Sequence, residues 1–190
     1  MRKLKLQVQI SVDGYVAGLD GDMDWMIWNW DEALNRYVDE LTDSIDTILL
    51  GRKMAAGFID HWSHVAGDPS DPEYTGGQKM MAARKIVYSK TVKQPIWKDM
   101  EVVSTDLVED VAQRKEQDGK DMIVYGGASL VSALIGNGLI DDFYLFVNPV
   151  LVGGGLSIFG QVPGVQKLAL VESRAFECGI VLLHYELACA

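Results

Sequence analysis

The chain opens on an alternating pattern of apolar and polar residues. Leucine, isoleucine and valine take every second position from Leu4 to Val12, with lysine, glutamine and serine between them. This period of two predicts a β-strand. Asp13-Gly14-Tyr15 ends the pattern, and the residues from Gly18 to Asp24 predict a loop.

The middle of the chain alternates between strand and helix patterns. Asp31 can cap a helix whose apolar stripe is Leu34, Val38, Leu41 and Ile45. Short apolar runs, typical of strands buried on both faces, follow at 47–50, 86–88, 102–103 and 122–125. Further helices are predicted over 107–118 and 130–135, and an exposed loop over 66–78, which is rich in proline, glycine and acids. This order favours a parallel sheet with helices on both faces.

The C-terminal part has a different pattern, because three strand-like runs at 143–147, 168–176 and 180–187 follow without a helix between them. Glu177-Cys178-Gly179 joins the last two, which predicts an antiparallel hairpin. We therefore expect a single α/β domain over residues 1–190. Its three layers are α/β/α, around a mostly parallel sheet that ends in an antiparallel hairpin.

The composition narrows the class of protein. Hydrophobic residues make up 48%, and 17 basic against 27 acidic residues give a net charge of −10, which disfavours nucleic-acid binding. No apolar run approaches the ~20 residues that cross a bilayer, and no signal-peptide block follows the first charges. Two cysteines and three histidines form no disulfide framework or metal-binding pattern. We expect a soluble, cytoplasmic protein with no metal and no membrane or nucleic-acid partner.

Three predicted strands end in residues that suit a phosphate group. In open α/β sheets ligands bind at the carboxyl ends of strands. The junctions are Tyr125-Gly126-Gly127-Ala128-Ser129, Gly51-Arg52-Lys53 and Ser89-Lys90. The two glycines allow a ligand to approach the backbone, and the following helix start offers free N–H groups. A tight turn that needs a positive φ explains the same glycines.

The cations at these junctions strengthen the phosphate interpretation. Arg52 can grip a phosphate with two parallel hydrogen bonds. Alternatively, Arg52 and Lys53 are solvated charges on the first turn of a helix, although cations are unfavourable there. Ser89 and Lys90 alone are ordinary loop residues. Together these residues favour a phosphorylated cofactor, although neither a phosphate loop nor a Gly-x-Gly-x-x-Gly fingerprint occurs.

Five motifs, in order, resemble those of the dihydrofolate-reductase-like superfamily. They are Ser11-Val12-Asp13-Gly14-Tyr15-Val16-Ala17, Leu50-Gly51-Arg52-Lys53, Tyr88-Ser89-Lys90, Tyr125-Gly126-Gly127 and Asn148-Pro149-Val150-Leu151-Val152-Gly153-Gly154-Gly155. The resemblance covers Leu4 to about Leu187 and is closest to the C-terminal reductase domain of the bifunctional riboflavin-biosynthesis deaminase/reductase. The zinc-binding motifs of the deaminase half do not occur.

The resemblance implies a cofactor and a place for it. NADPH would lie across the carboxyl edge of the sheet, with Ala17 at the nicotinamide. Gly51, Arg52, Lys53, Ser89 and Lys90 would hold the adenosine phosphates, including the 2′-phosphate. The turn that begins at Tyr125 would cradle the pyrophosphate through Gly126, Gly127, Ala128 and Ser129. Met54 departs from the family pattern, because dihydrofolate reductases usually have a threonine there.

The resemblance also suggests catalytic and substrate-binding residues. Asp31 is the nearest counterpart of the acid that supplies a proton in dihydrofolate reductases, and Asp13 is the second candidate. A helix N-cap explains Asp31 equally, and a turn explains Asp13. Trp25 can stack on a heterocyclic substrate, although such residues are more often core.

These features predict an NADPH-dependent reductase. It would transfer a hydride to a small pyrimidine- or pterin-type heterocycle, in a reaction that resembles 5-amino-6-(5-phosphoribosylamino)uracil reduction in riboflavin biosynthesis. The alternatives are dihydrofolate-reductase-like activity and a non-catalytic module that binds a nucleotide or flavin. We also expect a homodimer, since relatives pair and the C-terminal strands carry Phe143, Phe146, Phe176 and Tyr185 as candidates for an exposed face.

Overall fold

The computed structural model describes residues 1–92, 94, 95, 97 and 100–188. Its main feature is an eight-stranded sheet. The strands are β1 (Leu4–Ser11), β3 (Ile45–Gly51), β4 (Arg84–Tyr88), β5 (Met100–Val103), β6 (Asp121–Val124), β7 (Asp142–Asn148), β9 (Leu168–Ala175) and β10 (Val181–Leu187). They lie in the order β5-β4-β3-β6-β1-β7-β10-β9. The first six are parallel, whereas β10 is antiparallel to both of its neighbours. The predicted mixed sheet and C-terminal hairpin are confirmed.

Helices cover both faces of this sheet. They are α1 (Glu32–Asp43), α2 (Arg52–Gly67), α3 (Tyr74–Ala82), α4 (Leu107–Lys115) and α5 (Ala128–Gly136). One apolar core lies between the sheet and α4 and α5, and the second lies between the sheet and α1, α2 and α3. Two short strands, β2 (Tyr15–Ala17) and β8 (Leu156–Ser157), pair separately. The predicted α/β/α layers are therefore confirmed.

The central strand β1 shows why its sequence alternates. Leu4, Leu6, Val8 and Ile10 pack in the core beneath α4 and α5. The intervening residues face the α1 side, where Lys5, Gln7 and Ser11 are also buried. Alternation commonly marks a strand with one face in water. Here it separates an apolar face from a buried polar face.

The predicted exposed loop over 66–78 is correct only for residues 68–73. Helix α2 continues to Gly67 and α3 begins at Tyr74, so that only residues 68–73 connect them. Gly77 suggested a turn, but a Cβ atom there would lie 2.8 Å from the Val65 side chain and 2.9 Å from the Ala66 nitrogen. This glycine instead allows α3 to pack closely against α2. In the same way, Ile45 begins β3 and does not extend α1.

The aromatic residues proposed for an exposed face are not exposed. Phe143, Phe146 and Phe176 are buried in the cores of the chain itself, and Tyr185 is partly buried. The large apolar residues that the C-terminal strands expose are Leu168, Leu170, Val171 and Val181. In the part of the chain that the structure describes, no helix is long and apolar enough to span a bilayer.

Candidate active site

The carboxyl ends of the parallel strands form one edge of the sheet, which has two parts. We call the ends of β4, β3 and β6 the β3 half of the edge. The ends of β1 and β7, together with the turn 176–180 before β10, form the β7 half. The three glycine- and cation-bearing junctions all belong to the β3 half.

The β3 half contains two closely packed helix starts. Gly51 and Gly127 precede α2 and α5, and a Cβ atom on Gly127 would lie 3.4 Å from the Gly51 Cα. Gly127 has φ of +85°, a left-handed conformation that favours glycine. Neither helix has a side-chain cap, whereas Asp31 caps α1 and Asp106 caps α4. The first N–H groups of α2 and α5 thus remain available to an anion.

Three exposed cations surround these helix starts. Arg52 and Lys53 lie in the first turn of α2, and Lys90 follows β4. Among the residues that the structure describes, none of the three has a hydrogen-bond or ion-pair partner, whereas eight other lysines and arginines form ion pairs. The β3 half therefore offers positive charge that no acid of the described chain neutralises.

Ser89 is buried and shapes the turn that carries Lys90. Its Oγ accepts hydrogen bonds from the Thr91 nitrogen at 3.2 Å and the Val92 nitrogen at 2.9 Å. The Oγ also lies 3.4 Å from the Thr91 hydroxyl, and either of the two hydroxyls can be the donor. A structural role for Ser89 is thus shown, and its contact with a cofactor stays a prediction.

The other predicted cofactor residues differ in where their side chains lie. The Tyr125 ring stacks on Phe58 with 5.7 Å between centroids, and burial raises the pKa of its hydroxyl above the ordinary range. Its side chain is part of the core. Ala128 also packs against the core, and Ser129 is exposed on the first turn of α5. Met54 lies against Gly126, since a Cβ there would be 3.2 Å from the Met54 sulfur.

Asn148 holds together the β7 half. Its side chain is fully buried at the end of β7. The amide oxygen accepts from the Ile27 nitrogen at 2.9 Å, and the amide nitrogen donates to Gln9 Oε1 at 3.0 Å. These contacts fix the 18–31 loop to the neighbouring strands β1 and β7.

Asp13 clamps the glycine-rich segment after β7. Its carboxylate accepts from the Ser11 hydroxyl at 2.6 Å, the Val152 nitrogen at 3.1 Å and the Gly153 nitrogen at 2.7 Å. The hydrogen bond from Ser11 and then that from Gly153 lower the pKa of Asp13 to about 2. The carboxylate is therefore ionised at neutral pH and already has three donors.

Asp31 has two structural partners. One carboxylate oxygen accepts from the Leu34 nitrogen at 2.9 Å, which confirms the predicted cap of α1, and the other accepts from the Cys178 nitrogen at 3.0 Å. Both hydrogen bonds lower the pKa of Asp31, with that from Leu34 the stronger cause. Asp31 thus joins α1 to the turn before β10. Proton donation by either acid stays a prediction, which their ionisation at neutral pH disfavours.

Trp25 belongs to the 18–31 loop, and Ala17 ends the short strand β2 before it. Trp25 is partly buried, and its indole N–H has no hydrogen-bond partner in the described chain. Ala17 is buried in β2, where a Cβ atom on Gly155 would overlap the Ala17 carbonyl. The glycine-rich segment can therefore lie directly on the residue predicted to meet the nicotinamide.

Sequence reasoning missed three features of the β7 half. It assigned no role to Asn148, to the backbone N–H groups of Val152 and Gly153, or to Cys178. An asparagine directly after a buried strand is a signal that could have singled out Asn148. The backbone donors and the Cys178 contact depend on how distant segments meet, and no local pattern indicates them.

Comparison with known proteins identifies the family. The model of the RibD C-terminal domain matches residues 2–182. The uncharacterized protein YyaP of Bacillus subtilis strain 168 is 32% identical over 186 residues, which are 97% of this chain and 94% of that protein.

Two solved structures confirm the dihydrofolate-reductase-like fold. A protein of Shewanella sp. PV-4 whose name refers to riboflavin biosynthesis has a TM-score of 0.72 at 20% identity, with both chains fully covered. The diaminohydroxyphosphoribosylaminopyrimidine deaminase/5-amino-6-(5-phosphoribosylamino)uracil reductase of Thermotoga maritima has a TM-score of 0.69 at 18% identity. That match covers 98% of this chain and 57% of the Thermotoga protein. The chain belongs to the RibD C-terminal domain family.

Proposed function

We propose that this protein is an NADPH-dependent reductase that transfers a hydride to a small pyrimidine- or pterin-type heterocycle. The observation that carries the proposal is the β3 half, where two helix starts without a side-chain cap meet beside three cations that have no ion-pair partner among the described residues. Membership of the RibD C-terminal domain family supports it, because the Thermotoga neighbour is named as a uracil reductase. The proposed reaction would belong to riboflavin-related metabolism.

The residues of the β3 half fit the phosphates of this cofactor. The N–H groups at the starts of α2 and α5 suit a pyrophosphate, and the absence of a Cβ on Gly51 and Gly127 leaves the backbone accessible. Arg52, Lys53 and Lys90 suit the 2′-phosphate, which carries about two negative charges. When bound, NADPH supplies the hydride.

The β7 half would position the substrate. Asn148 holds the 18–31 loop and Asp13 holds the segment 148–155, so that the two segments frame the edge beside Ala17. We assign Asp13 and Asp31 as positioning residues, since each carboxylate is ionised and occupied by backbone donors. The proton that accompanies the hydride would then come from water or from another donor.

A second candidate function is a module that binds a nucleotide without turning it over. Two observations favour it: Met54 replaces the hydroxyl usual at that position with a thioether, and neither candidate acid is poised to donate a proton. Dihydrofolate-reductase-like activity stays a further alternative within the reductase class.

The decisive experiment separates binding from turnover. NADPH is titrated into the protein by calorimetry, and its oxidation at 340 nm is then followed with a panel of pyrimidine and pterin substrates. The reductase proposal predicts both binding and substrate-dependent oxidation. Binding without oxidation would favour the module, and no binding at sub-millimolar NADPH would overturn the reductase and any module whose ligand is NADPH.

We also propose a homodimer formed through β9. This edge strand exposes Leu168, Leu170 and Val171, and an open apolar edge favours pairing with a second copy. Light scattering at micromolar concentration tests it, because a mass near the 21.0 kDa of one chain would contradict the dimer. A cytoplasmic location stays a prediction.

A further inference from the structure

Charge is distributed unevenly along the segments that build the site. No lysine, arginine or histidine occurs from Leu6 to Asn35, or from Asp121 to Gln166. These segments supply most of β1, the 18–31 loop, the start of α1 and the chain from β6 to β8. The first of them carries the acids Asp13, Asp20, Asp22, Asp24, Asp31 and Glu32. The β7 half is therefore built mainly from acidic and neutral residues.

Two arginines lie beside the acids at the start of α1, but the carboxylates there outnumber them. Arg36 forms an ion pair with Glu32 at 2.5 Å. The Arg174 guanidinium lies 5.1 Å from the centre of the Phe176 ring, in a shallow depression whose lining also includes Asp31, Glu32 and Glu177. A phosphate in this depression would face at least as many carboxylates as guanidinium groups, and like charges repel.

Towards the carboxyl ends of β1 and β7, the polar side chains on the α1 side are the neutral Gln9, Ser11 and Asn148, whereas the charged Lys5 and Asp142 are buried at the other end of these strands. Gln9 and Asn148 bond to each other, and Gln7 precedes Gln9 by two residues on the same face of β1. Gln7 is nine-tenths buried, and its Oε1 has no hydrogen-bond partner among the described residues. The Trp25 indole N–H is a buried donor in the same condition. Buried polar groups are normally satisfied, so an acceptor and a donor without partners point to a ligand or water.

The two halves of the edge thus differ in the ligand chemistry they favour. The β3 half combines unpaired cations with free helix N–H groups, which suit phosphates. The β7 half combines carboxylates with neutral amides, which suit an uncharged heterocycle whose edge both donates and accepts hydrogen bonds. Phosphate groups belong in one half only.

From this asymmetry we infer that the substrate carries no phosphate and is an uncharged or positively charged heterocycle. The inference rests on the proposed function and narrows its substrate class. It separates this chain from the Thermotoga neighbour, whose name describes a phosphoribosylated uracil. A phosphate bears close to two negative charges at neutral pH, and the β7 half would repel it.

A matched pair of probes tests the inference. The protein is saturated with NADPH, so that the β3 half is filled, and is then titrated with uridine or uridine 5′-monophosphate by calorimetry at low ionic strength. We expect the monophosphate to bind at least tenfold more weakly than uridine, or undetectably at millimolar concentration. Equal or tighter binding of the monophosphate would overturn the inference.

A charge variant on the 18–31 loop makes the test sharper. Asp24 is exposed and has no hydrogen bond in the described chain, so Asp24→Lys changes charge with little effect on packing. The preference for uridine is the ratio of the dissociation constants of uridine 5′-monophosphate and uridine. We expect Asp24→Lys to lower this ratio at least twofold, and added salt to lower it in the wild-type protein. Glu40→Lys, at the far end of α1, is the control and should leave the preference unchanged.

The outcomes also separate this inference from the proposed function. Failure of the protein to bind NADPH would refute the proposed function and this inference with it. Two outcomes would refute the substrate class alone, provided that NADPH binds normally. One is a preference for the monophosphate, and the other is an Asp24→Lys variant that behaves as wild type.

Discussion

Replacement of Asn148 by alanine should release the 18–31 loop from the sheet. The substitution leaves the Ile27 N–H and Gln9 Oε1 without their partners at the buried end of β7. Each buried group left unsatisfied costs about 1–3 kcal/mol, so we expect a loss of about 3 kcal/mol in the free energy of unfolding. Domains are typically stable by about 5–15 kcal/mol, and the variant should therefore still fold.

Urea denaturation measures this loss directly. With a slope of about 2 kcal/mol per molar urea, a loss of about 3 kcal/mol lowers the midpoint by about 1.5 M. Limited proteolysis should also cut the 18–31 loop faster, because the loop loses its contact with β7.

Two variants make the result specific to this contact. Asn137→Ala removes one hydrogen bond of an exposed asparagine at the end of α5, and should cost less than about 1 kcal/mol. Asn148→Asp keeps an acceptor for the Ile27 nitrogen, but it buries a carboxylate against Gln9 Oε1, so at neutral pH its midpoint should lie at or below that of Asn148→Ala. If Asn148→Ala behaves like Asn137→Ala and the loop is cut no faster, the reasoning about Asn148 is refuted.

Three further predictions concern the site. Gly127→Ala forces a side chain into a left-handed conformation beside Gly51; it should cost about 1–2 kcal/mol of stability in urea and weaken NADPH binding at least tenfold. In calorimetric titrations, Arg52→Ala should weaken the binding of NADPH at least tenfold and that of NADH only a little. Arg36 is exposed and forms an ion pair, so Arg36→Ala should change the binding of neither cofactor. Equal losses for both cofactors in Arg52→Ala would show that Arg52 does not contact the 2′-phosphate. The pKa of Asp13 is lowered from 3.8 to about 2 in the folded protein. The ionised carboxylate therefore stabilises the fold fully above its ordinary pKa, and this stabilisation is lost as the pH falls towards 2. The denaturation midpoint of Asp13→Asn should therefore depend less on pH across that window, and a wild-type slope would contradict this.

The arrangement of the β3 half follows from local sequence. Short apolar runs followed by glycine and cations indicate buried strands with polar ends. In a parallel sheet the carboxyl ends of these strands lie at the same edge. The sequence also indicated that Asp31 could cap α1, because capping involves only neighbouring residues.

The β7 half could not be predicted in the same way. Asn148 meets Ile27 and Gln9 across 121 and 139 residues of chain, and Asp13 meets Gly153 across 140. Tertiary contact also reversed one local signal. Gly77 lies in α3 and allows it to pack closely against α2, where the sequence predicted an exposed loop. The Tyr125 ring stacks on Phe58, and its contact with a cofactor stays a prediction.

The most direct test of the account is the pair of dissociation constants of the wild-type protein for NADPH and NADH, measured by calorimetry in the same buffer. The cations of the β3 half predict sub-millimolar binding of NADPH, at least tenfold tighter than that of NADH, which corresponds to about 1.4 kcal/mol. Undetectable binding of both cofactors, or equal constants for the two, would contradict the assignment of the β3 half as an NADPH site.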